Sequence, residues 1–391
     1  MAYRLTYQAL VLDLYSAFYS ARKHKSSKPY VRSFERKLRK NIESLAHDLF
    51  NHVYKPEPSS CFVIERPKKR EVFAAQFRDR VVHHLYYNYT HVMFERTFIQ
   101  DSYSCIPERG THYGIERMAH HIRSESRNYQ RKCYALQIDI RGYFMHIVRQ
   151  RLADIATGEI KNMAWHIAHD GKRWEDVLDI DFILWLTKEI VMLNPQTSCK
   201  IVGSREDWDG LEYSKSLFHT PAGCGLPIGN LTSQLFSNVY LNCFDQYMKR
   251  ELKCRHYGRY VDDAYVISCD KQWLIGLIPK INTFLDERLG IELHMGKVRL
   301  IEVKYGVSFL GGFVKPFRTY ISNACLRRMK DNISRINFRD PDAVYRSVNS
   351  YLGTLCHYRS YNIRSGLFLR NKFLKIAPFD RDVTKMMKPM N

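Results

Sequence analysis

The sequence predicts an α+β fold, in which short antiparallel strand pairs alternate with amphipathic helices. Residues 61–75 and 255–268 each predict a hairpin, because two apolar runs of strand length flank a short polar turn. Around these hairpins, apolar residues recur about every fourth position, which is typical of helices that bury one face. No internal repeat is present, so the pattern favours a mixed globular fold over a solenoid.

The composition indicates a globular protein with a polyanionic partner. Hydrophobic residues make up 45% of the 391 residues, which is enough for sizeable cores and excludes general disorder. Lysine and arginine total 61 against 40 acidic residues, and the resulting net charge of +21 is spread along the chain. This charge favours nucleic acid as the partner. The absence of a CxxC pair argues against a zinc site or a disulfide framework, and it favours reduced thiols in a cytoplasmic protein.

The first part of the chain predicts helices followed by a hairpin with a basic tip. The apolar patch Ala9 to Phe18 indicates an amphipathic helix and not a signal peptide, since Asp13 interrupts it. No apolar run is long enough to span a membrane, so no membrane partner is expected. The predicted elements of this part are helices over 9–18 and 33–54, strands over 61–64 and 71–75, and a helix over 79–94.

The remaining chain predicts a second hairpin between several helices. Residues 100–114 contain too many turn-forming residues for regular structure, and residues 194–213 are a polar segment without a predicted function. The predicted elements are a strand over 134–140, helices over 182–193 and 230–251, strands over 255–261 and 264–268, a helix over 272–289, strands up to 314, and helices from 323 onward.

The adjacent carboxylates Asp262 and Asp263 are the strongest signal for chemistry. They lie between two apolar strands, where two neighbouring charges are costly unless a cation neutralises them. Asp139 ends an earlier predicted strand. Carboxylates from two neighbouring strands can hold two Mg²⁺ ions about 4 Å apart, as in-line phosphoryl transfer requires, with Mn²⁺ as a substitute. An ordinary aspartate-containing hairpin turn is the alternative.

Four segments follow one another in the order of the palm motifs of reverse transcriptases, which they resemble. These segments are Asp139–Phe144, Gly225–Gln234, Tyr260–Asp263 and Ser308–Gly312. The basic hairpin with Arg70 and the segment 77–84 look like the fingers of the same enzymes. The resemblance implies a right-hand polymerase with an N-terminal helical extension over 1–59, fingers and an antiparallel palm sheet over 60–315, and a helical thumb over 316–391.

The segment around Ile228 resembles one kind of reverse transcriptase, that of diversity-generating retroelements. Most reverse transcriptases have Gln-Gly-x-x-x-Ser-Pro where this chain has Ile228 to Gln234, and residues 215–218 and 351–364 are also similar to the retroelement enzymes. The resemblance implies error-prone, adenine-mutagenic cDNA synthesis from a template-repeat RNA for mutagenic retrohoming. The implied partners are template RNA, a cDNA or RNA primer, dNTPs, and an oligomeric accessory variability protein.

Two alternatives remain open at this point. Another bacterial reverse transcriptase, of group II intron, retron or phage-defence type, shares the four palm segments, although the Ile228 to Gln234 segment argues against it. A non-catalytic RNA-binding protein could keep the polymerase fold, although such a relic would have little reason to retain all three aspartates.

The resemblance also implies roles for individual residues. Asp139, Asp262 and Asp263 are the catalytic residues, and with Ile140 they form the metal site. The implied nucleotide-binding residues are Lys69, Arg70, Arg141, Gly142, Tyr143, Phe144, Ile228, Gly229, Gln234 and Lys297. The implied primer grip is Phe309, Leu310 and Gly311.

Physical arguments support several of these roles. Gly229 would let the backbone approach the nascent base pair, and Ile228 replaces a glutamine that bonds the nucleotide, so lower fidelity is expected. Phe144, with Tyr143 as the neighbouring candidate, would pack under the sugar and exclude a 2′-hydroxyl, although a core aromatic is the alternative. Arg70 would clamp the triphosphate, because guanidinium binds phosphate with two hydrogen bonds; a solvated turn is its alternative.

Overall fold

The computed structural model describes residues 3–66, 68–168, 171–371, 374 and 377–388, and it confirms a mixed α+β fold. The chain forms two compact units, each made of three chain segments. Unit 1 comprises Met1–Gln100, Asp139–Lys253 and Ile278–Met295. Unit 2 comprises Asp101–Ile138, Cys254–Leu277 and Gly296–Asn391. The domain boundaries at residues 59 and 315 stay predictions.

The helices and strands of the described residues are as follows. The helices are α1 (Tyr7–Arg22), α2 (Pro29–Arg36), α3 (Leu38–Phe50), α4 (Phe77–Glu95), α5 (Thr111–Glu125), α6 (Tyr143–His146), α7 (Arg149–Ala164), α8 (Trp174–Val177), α9 (Ile180–Val191), α10 (Leu231–Gln246), α11 (Lys271–Phe284), α12 (Asn323–Ser334), α13 (Pro341–Cys356) and α14 (Tyr361–Phe368). The strands are β1 (Ser59–Ile64), β2 (Arg70–Ala74), β3 (Tyr134–Ile138), β4 (Cys199–Ile201), β5 (His256–Tyr260), β6 (Asp263–Ser268), β7 (Arg299–Glu302), β8 (Val307–Phe309), β9 (Gly312–Lys315) and β10 (Arg318–Ile321).

The predicted helix over 33–54 is wrong in one respect, because it is two helices that meet at Lys37. The backbone of Lys37 is not helical (φ −120°, ψ 33°), so α2 ends there and α3 begins. The side-chain amide of Asn41 donates to the backbone carbonyl of Phe34 at 2.8 Å, which satisfies one of the carbonyls left at the end of α2. Apolar periodicity alone does not reveal this break, since both helices bury the same kind of face.

A small sheet in unit 1 has the order β2-β1-β4. The hairpin of β1 and β2 is confirmed, with Cys61 opposite Phe73. Strand β4 pairs in parallel with β1 and was missed, because only three residues of the polar segment 194–213 take part. This short pairing ties that segment to the hairpin.

Unit 2 contains a four-stranded antiparallel sheet with the order β5-β6-β3-β7. Ile138 at the end of β3 pairs with Ala264 of β6, and Tyr260 at the end of β5 pairs with Asp263. Helix α5 packs on this sheet through a buried apolar cluster that includes Ile115 and Met118. The end of the 100–114 segment is therefore helical where the sequence predicted irregular structure.

The C-terminal part of unit 2 is a second sheet followed by helices. Strands β8, β9 and β10 form an antiparallel meander, and α12 begins where the Ser322 hydroxyl accepts a hydrogen bond from the Cys325 amide at 3.3 Å. Helices α12, α13 and α14 share a separate apolar core around Val348 and Leu352. Within the described residues, no helix is long and apolar enough to cross a membrane, and all ten cysteines are free thiols.

Candidate active site

The turn that carries Asp262 in unit 2 has a strained backbone. Strand β5 ends at Tyr260 and β6 begins at Asp263, so the turn is one residue earlier than the predicted Asp262–Asp263 tip. Val261 has a φ of +56°, a conformation that costs a β-branched residue about 1–3 kcal/mol. Its amide donates to the Ser104 hydroxyl at 3.2 Å, and its carbonyl accepts from the fully buried Arg259 at 2.9 Å. These bonds hold the turn in one conformation.

Asp262 is half-buried and Asp263 is exposed, whereas the residues that follow are buried. Tyr265 of β6 lies in a buried hydrogen-bond network that the sequence did not reveal. Its hydroxyl is 2.8 Å from that of Tyr103 and 3.1 Å from Nδ1 of His121. The Tyr103 hydroxyl donates to Asp101, and burial raises the pKa of both tyrosines, so both are neutral donors. The strand that starts at Asp263 is thus anchored by a polar network.

The predicted primer-grip residues are the last residue of β8, Phe309, and the two residues of the turn to β9. Leu310 (φ +49°) and Gly311 (φ +85°) both have positive φ, as a tight two-residue hairpin requires. Phe309 is buried, with its ring edge-on to Tyr265 at 5.1 Å, and Leu310 packs on the same core. Lys297 lies in the turn before β7 with an exposed side chain. The roles of these four residues stay predictions.

In unit 1, the backbone from Asp139 to Arg141 runs antiparallel to residues 292–294. The carbonyl of Asp139 accepts from the His294 amide at 2.8 Å, and the Arg141 amide donates to the Glu292 carbonyl at 3.0 Å. Ile140 lies between them, buried and bridged to Leu293. Asp139 itself is half-buried. These bonds fix the backbone of the first predicted metal-binding segment.

The two aromatic candidates of this segment differ in burial. Gly142 turns the chain into α6 with a φ of +51°, where a side chain would also meet His146 at 2.8 Å. Tyr143 is 2% exposed, and its hydroxyl donates to the carbonyl of Ser237 at 2.5 Å. Phe144 is half-buried against an apolar cluster at the β1–β2 hairpin. Tyr143 therefore serves the core, and Phe144 is the better candidate for a contact with the sugar.

The segment from Ile228 to Asn230 lies along β2. The Ile228 carbonyl accepts from the Phe73 amide at 3.0 Å, and the Asn230 side chain accepts from the Ala75 amide at 3.1 Å. Between them Gly229 has a φ of +120°, and a Cβ there would be 2.8 Å from Cγ1 of Val72. The glycine is thus required by the protein's own packing, besides any approach to a base pair. Gln234 is exposed on the first turn of α10.

The two basic residues of the hairpin have different surroundings. The ammonium of Lys69 donates to the Asp209 carbonyl at 2.7 Å and pairs with Glu65 at 2.9 Å, so it supports the hairpin. Arg70 is exposed at the start of β2, and no carboxylate of a described residue pairs with it. Arg70 is therefore the better candidate for a phosphate contact, and its role stays a prediction.

Glu71 was not among the predicted site residues, yet it connects the hairpin to the 205–217 segment. Its side chain is 1% exposed and accepts three hydrogen bonds. They come from Nε1 of Trp208 at 2.7 Å, the Ser216 hydroxyl at 2.8 Å and the Leu217 amide at 2.6 Å. The polar segment without a predicted function therefore helps to fix the hairpin. A buried glutamate on a strand gives no sequence signal that separates it from an exposed one.

We expect Glu71→Gln to lower the free energy of unfolding by about 2 kcal/mol, because the amide replaces one acceptor oxygen with a donor facing other donors. Urea denaturation of the whole chain measures this change. Glu65→Gln is the matched control, since Glu65 is on the same hairpin with a side chain that is 66% exposed, and its effect should stay below about 0.5 kcal/mol. Equal effects of the two changes would contradict the structural role of Glu71.

The three predicted carboxylates belong to different units: Asp139 to unit 1, and Asp262 and Asp263 to unit 2. Their convergence therefore stays a prediction. Among the described residues, no group of three or more His, Cys, Asp or Glu side chains is arranged to hold a metal ion. The adjacent pair in unit 2 nevertheless suits Mg²⁺, which usually takes one or two carboxylates and completes its shell with water and substrate phosphates.

Comparisons with known proteins show a likeness of fold. No family model and no curated protein sequence matches this chain. An apo telomerase from Candida tropicalis is similar in structure, with a TM-score of 0.50 and 11% identity over 80% of this chain and 56% of that one. A telomerase from Candida albicans, solved with the TWJ fragment of telomeric RNA, has a TM-score of 0.49 and 11% identity over 83% of this chain and 56% of that one. This chain thus spans little more than half the length of these telomerases, and the likeness to the first shows the fold alone.

Proposed function

We propose that this protein is an RNA-directed DNA polymerase of the kind found in diversity-generating retroelements. One observation carries the proposal: Ile138 pairs with Ala264 in the sheet of unit 2. Asp139 directly follows Ile138 and Asp263 directly precedes Ala264, so each aspartate is the chain neighbour of one member of this residue pair. This chain position supports the proposal that the three aspartates would share a pair of Mg²⁺ ions.

The fold supports the same class of enzyme. The C. tropicalis protein is a telomerase, which is a polymerase of the reverse transcriptase type, and its fold is similar to that of this chain. The net charge of +21 suits a template–primer duplex. The strained turn at Val261 adds support, because strain of this kind persists where a functional group must be held in place.

In this proposal the residues of the chain have separate tasks. Asp139, Asp262 and Asp263 would hold two Mg²⁺ ions, and these ions would supply activation of a primer 3′-hydroxyl and neutralisation of the triphosphate charge. Arg70 binds triphosphate oxygens with its guanidinium, which is exposed in the structure. Phe144 packs under the sugar of the incoming nucleotide and favours dNTPs over ribonucleotides.

The proposal is tested by primer extension with the purified chain, an RNA template with an annealed DNA primer, dNTPs, and Mg²⁺ or Mn²⁺. We expect extension with an RNA template and none after chelation of the divalent ion. A protein that binds the duplex without extending the primer under any of these conditions would instead be a non-catalytic polymerase relic. Faithful copying of template adenines would favour another type of reverse transcriptase.

Ile228→Gln tests the fidelity argument within the same proposal. Ile228 is half-buried, with its backbone fixed by the Phe73 amide, so a longer polar side chain can replace it without moving the segment. The glutamine would restore a hydrogen bond to the incoming nucleotide, so we expect errors opposite template adenine to fall severalfold. Sequencing of the cDNA measures the error rate, and Ile228→Leu is the control. An unchanged error spectrum in the glutamine variant would refute the fidelity argument.

The biological role also belongs to this proposal. The enzyme would copy a template-repeat RNA into error-rich cDNA for transfer into a target gene, together with an oligomeric accessory variability protein. The positive charge of the chain suits the RNA partner. Copurification of a small basic protein and an RNA with the chain from its native source would support this role.

A further inference from the structure

A cleft of about 680 Å³ lies in the C-terminal part of unit 2, at the start of α14. The described residues that line it include three arginines, Arg318, Arg359 and Arg364, and one carboxylate, Asp382. None of these residues belongs to the proposed polymerase site. The excess of positive charge in a concave surface favours an anionic ligand.

Arg364 is the unusual member of this lining, because it is a buried cation whose hydrogen-bond partners among the described residues are neutral. It is 8% exposed. Its guanidinium donates to Sγ of Cys356 at 3.5 Å, to the Ser360 hydroxyl at 3.4 Å and to the Asp382 carbonyl at 3.1 Å. Its Nε has no hydrogen-bond partner among the described residues. A buried charge of this kind is costly unless an anion compensates it.

The start of α14 independently points to an anion in the same cleft. Tyr361, Asn362 and Ile363 form the first turn of this eight-residue helix and line the cleft. The amides of a first helical turn have no acceptor within the helix, and together with the helix dipole they attract anions. Ser360 at the N-cap does not satisfy them, since its hydroxyl donates to the Leu355 carbonyl at 2.6 Å.

We propose that this cleft binds a phosphate group, held by the guanidinium of Arg364 and the first-turn amides of α14. The planar guanidinium of arginine can donate two parallel hydrogen bonds to phosphate, which is why arginine is favoured over lysine at such sites. Arg359 and Arg318 supply further charge from exposed positions. Tyr361, which is 51% exposed, offers a ring on which a base can stack, so a phosphate in a nucleic-acid strand is the favoured source over a free phosphate compound.

The test uses the full chain with two probes: inorganic phosphate, followed by calorimetry, and a short fluorescent single-stranded RNA, followed by anisotropy. We expect Arg364→Lys to weaken phosphate binding about tenfold, because lysine cannot donate the two parallel hydrogen bonds of a guanidinium. Arg359→Ala should also weaken it, because the change removes a positive charge from the cleft. Arg339→Ala is the matched control, since Arg339 is exposed in the same unit and outside the cleft. It should change binding of either probe by less than about twofold.

The outcomes separate the source of the phosphate from the existence of the site. Weaker binding of both probes in the cleft variants identifies a nucleic-acid strand as the ligand. Weaker binding of phosphate alone upholds the site and identifies a free phosphate compound. Cleft variants that bind both probes as Arg339→Ala does would overturn the proposal. If Arg364→Lys fails to fold, Arg359→Ala decides, because Arg359 is exposed. No outcome depends on polymerase activity.

Discussion

Replacing Asp262 or Asp263 by asparagine should reduce primer extension about a thousandfold or more, with little loss of stability. Each change removes one negative charge from the proposed metal site, and metal ions supply several kcal/mol of transition-state stabilisation in phosphoryl transfer. Asp263 is exposed and Asp262 half-buried, so an isosteric amide fits at both positions. Single-turnover extension on an RNA template at saturating dNTP concentration measures the effect.

The matched control for these variants is Asp331→Asn. Asp331 is an exposed aspartate on α12 of the same unit, so the change removes the same charge away from the turn. Its extension rate should stay within about twofold of the wild-type rate. If Asp262→Asn and Asp263→Asn extend primers as fast as Asp331→Asn does, these two carboxylates are not metal ligands.

Gly258→Ala should lower the free energy of unfolding by about 3 kcal/mol and reduce extension with it. A Cβ at Gly258 would be 2.2 Å from the Tyr103 hydroxyl and 2.8 Å from the Tyr265 hydroxyl. Tyr103 and Tyr265 are fully buried, so neither side chain can move into solvent. The added methyl group therefore breaks the hydrogen bond that joins the two tyrosines. Urea denaturation gives the change in stability.

The same substitution at Gly276 should have the opposite effect on the free energy of unfolding. Gly276 is an exposed residue of α11, and a Cβ there meets no atom within 4 Å. Alanine favours a helix over glycine by about 1 kcal/mol, so Gly276→Ala should raise the free energy of unfolding. If Gly258→Ala does not lower the free energy of unfolding below the wild-type value, the tyrosine network does not anchor β6.

Sequence patterns revealed the main elements because those elements bury one regular face. Helices such as α4 and α10 carry apolar residues at helical spacing, and the strands of the two hairpins flank marked polar turns. Strand β4 could not be predicted, since its three residues are polar or half-exposed and depend on the distant β1 for pairing. The break at Lys37 was missed because the two helices bury the same kind of face, so the apolar pattern does not reveal the non-helical backbone between them.

The part of the candidate site that could be predicted is the part whose residue types alone indicate their chemistry. Two adjacent aspartates between apolar strands indicate a cation, and the structure adds that the turn before them is strained at Val261. The residues that support this turn were not predictable. Ser104 and Tyr103 lie in a segment with no regular pattern, and their bonds to Val261 and Tyr265 follow only from the folded chain.

Localised cleavage by iron tests the convergence of the carboxylates most directly. Fe²⁺ can replace Mg²⁺ in such sites, and with ascorbate and peroxide it produces radicals that cut the backbone close to the ion. We predict cuts near both Asp139 and the Asp262–Asp263 pair, suppressed by excess Mg²⁺ and lost in Asp262→Asn. Cuts near the pair without any near Asp139, or no specific cuts at all, would contradict a shared metal site.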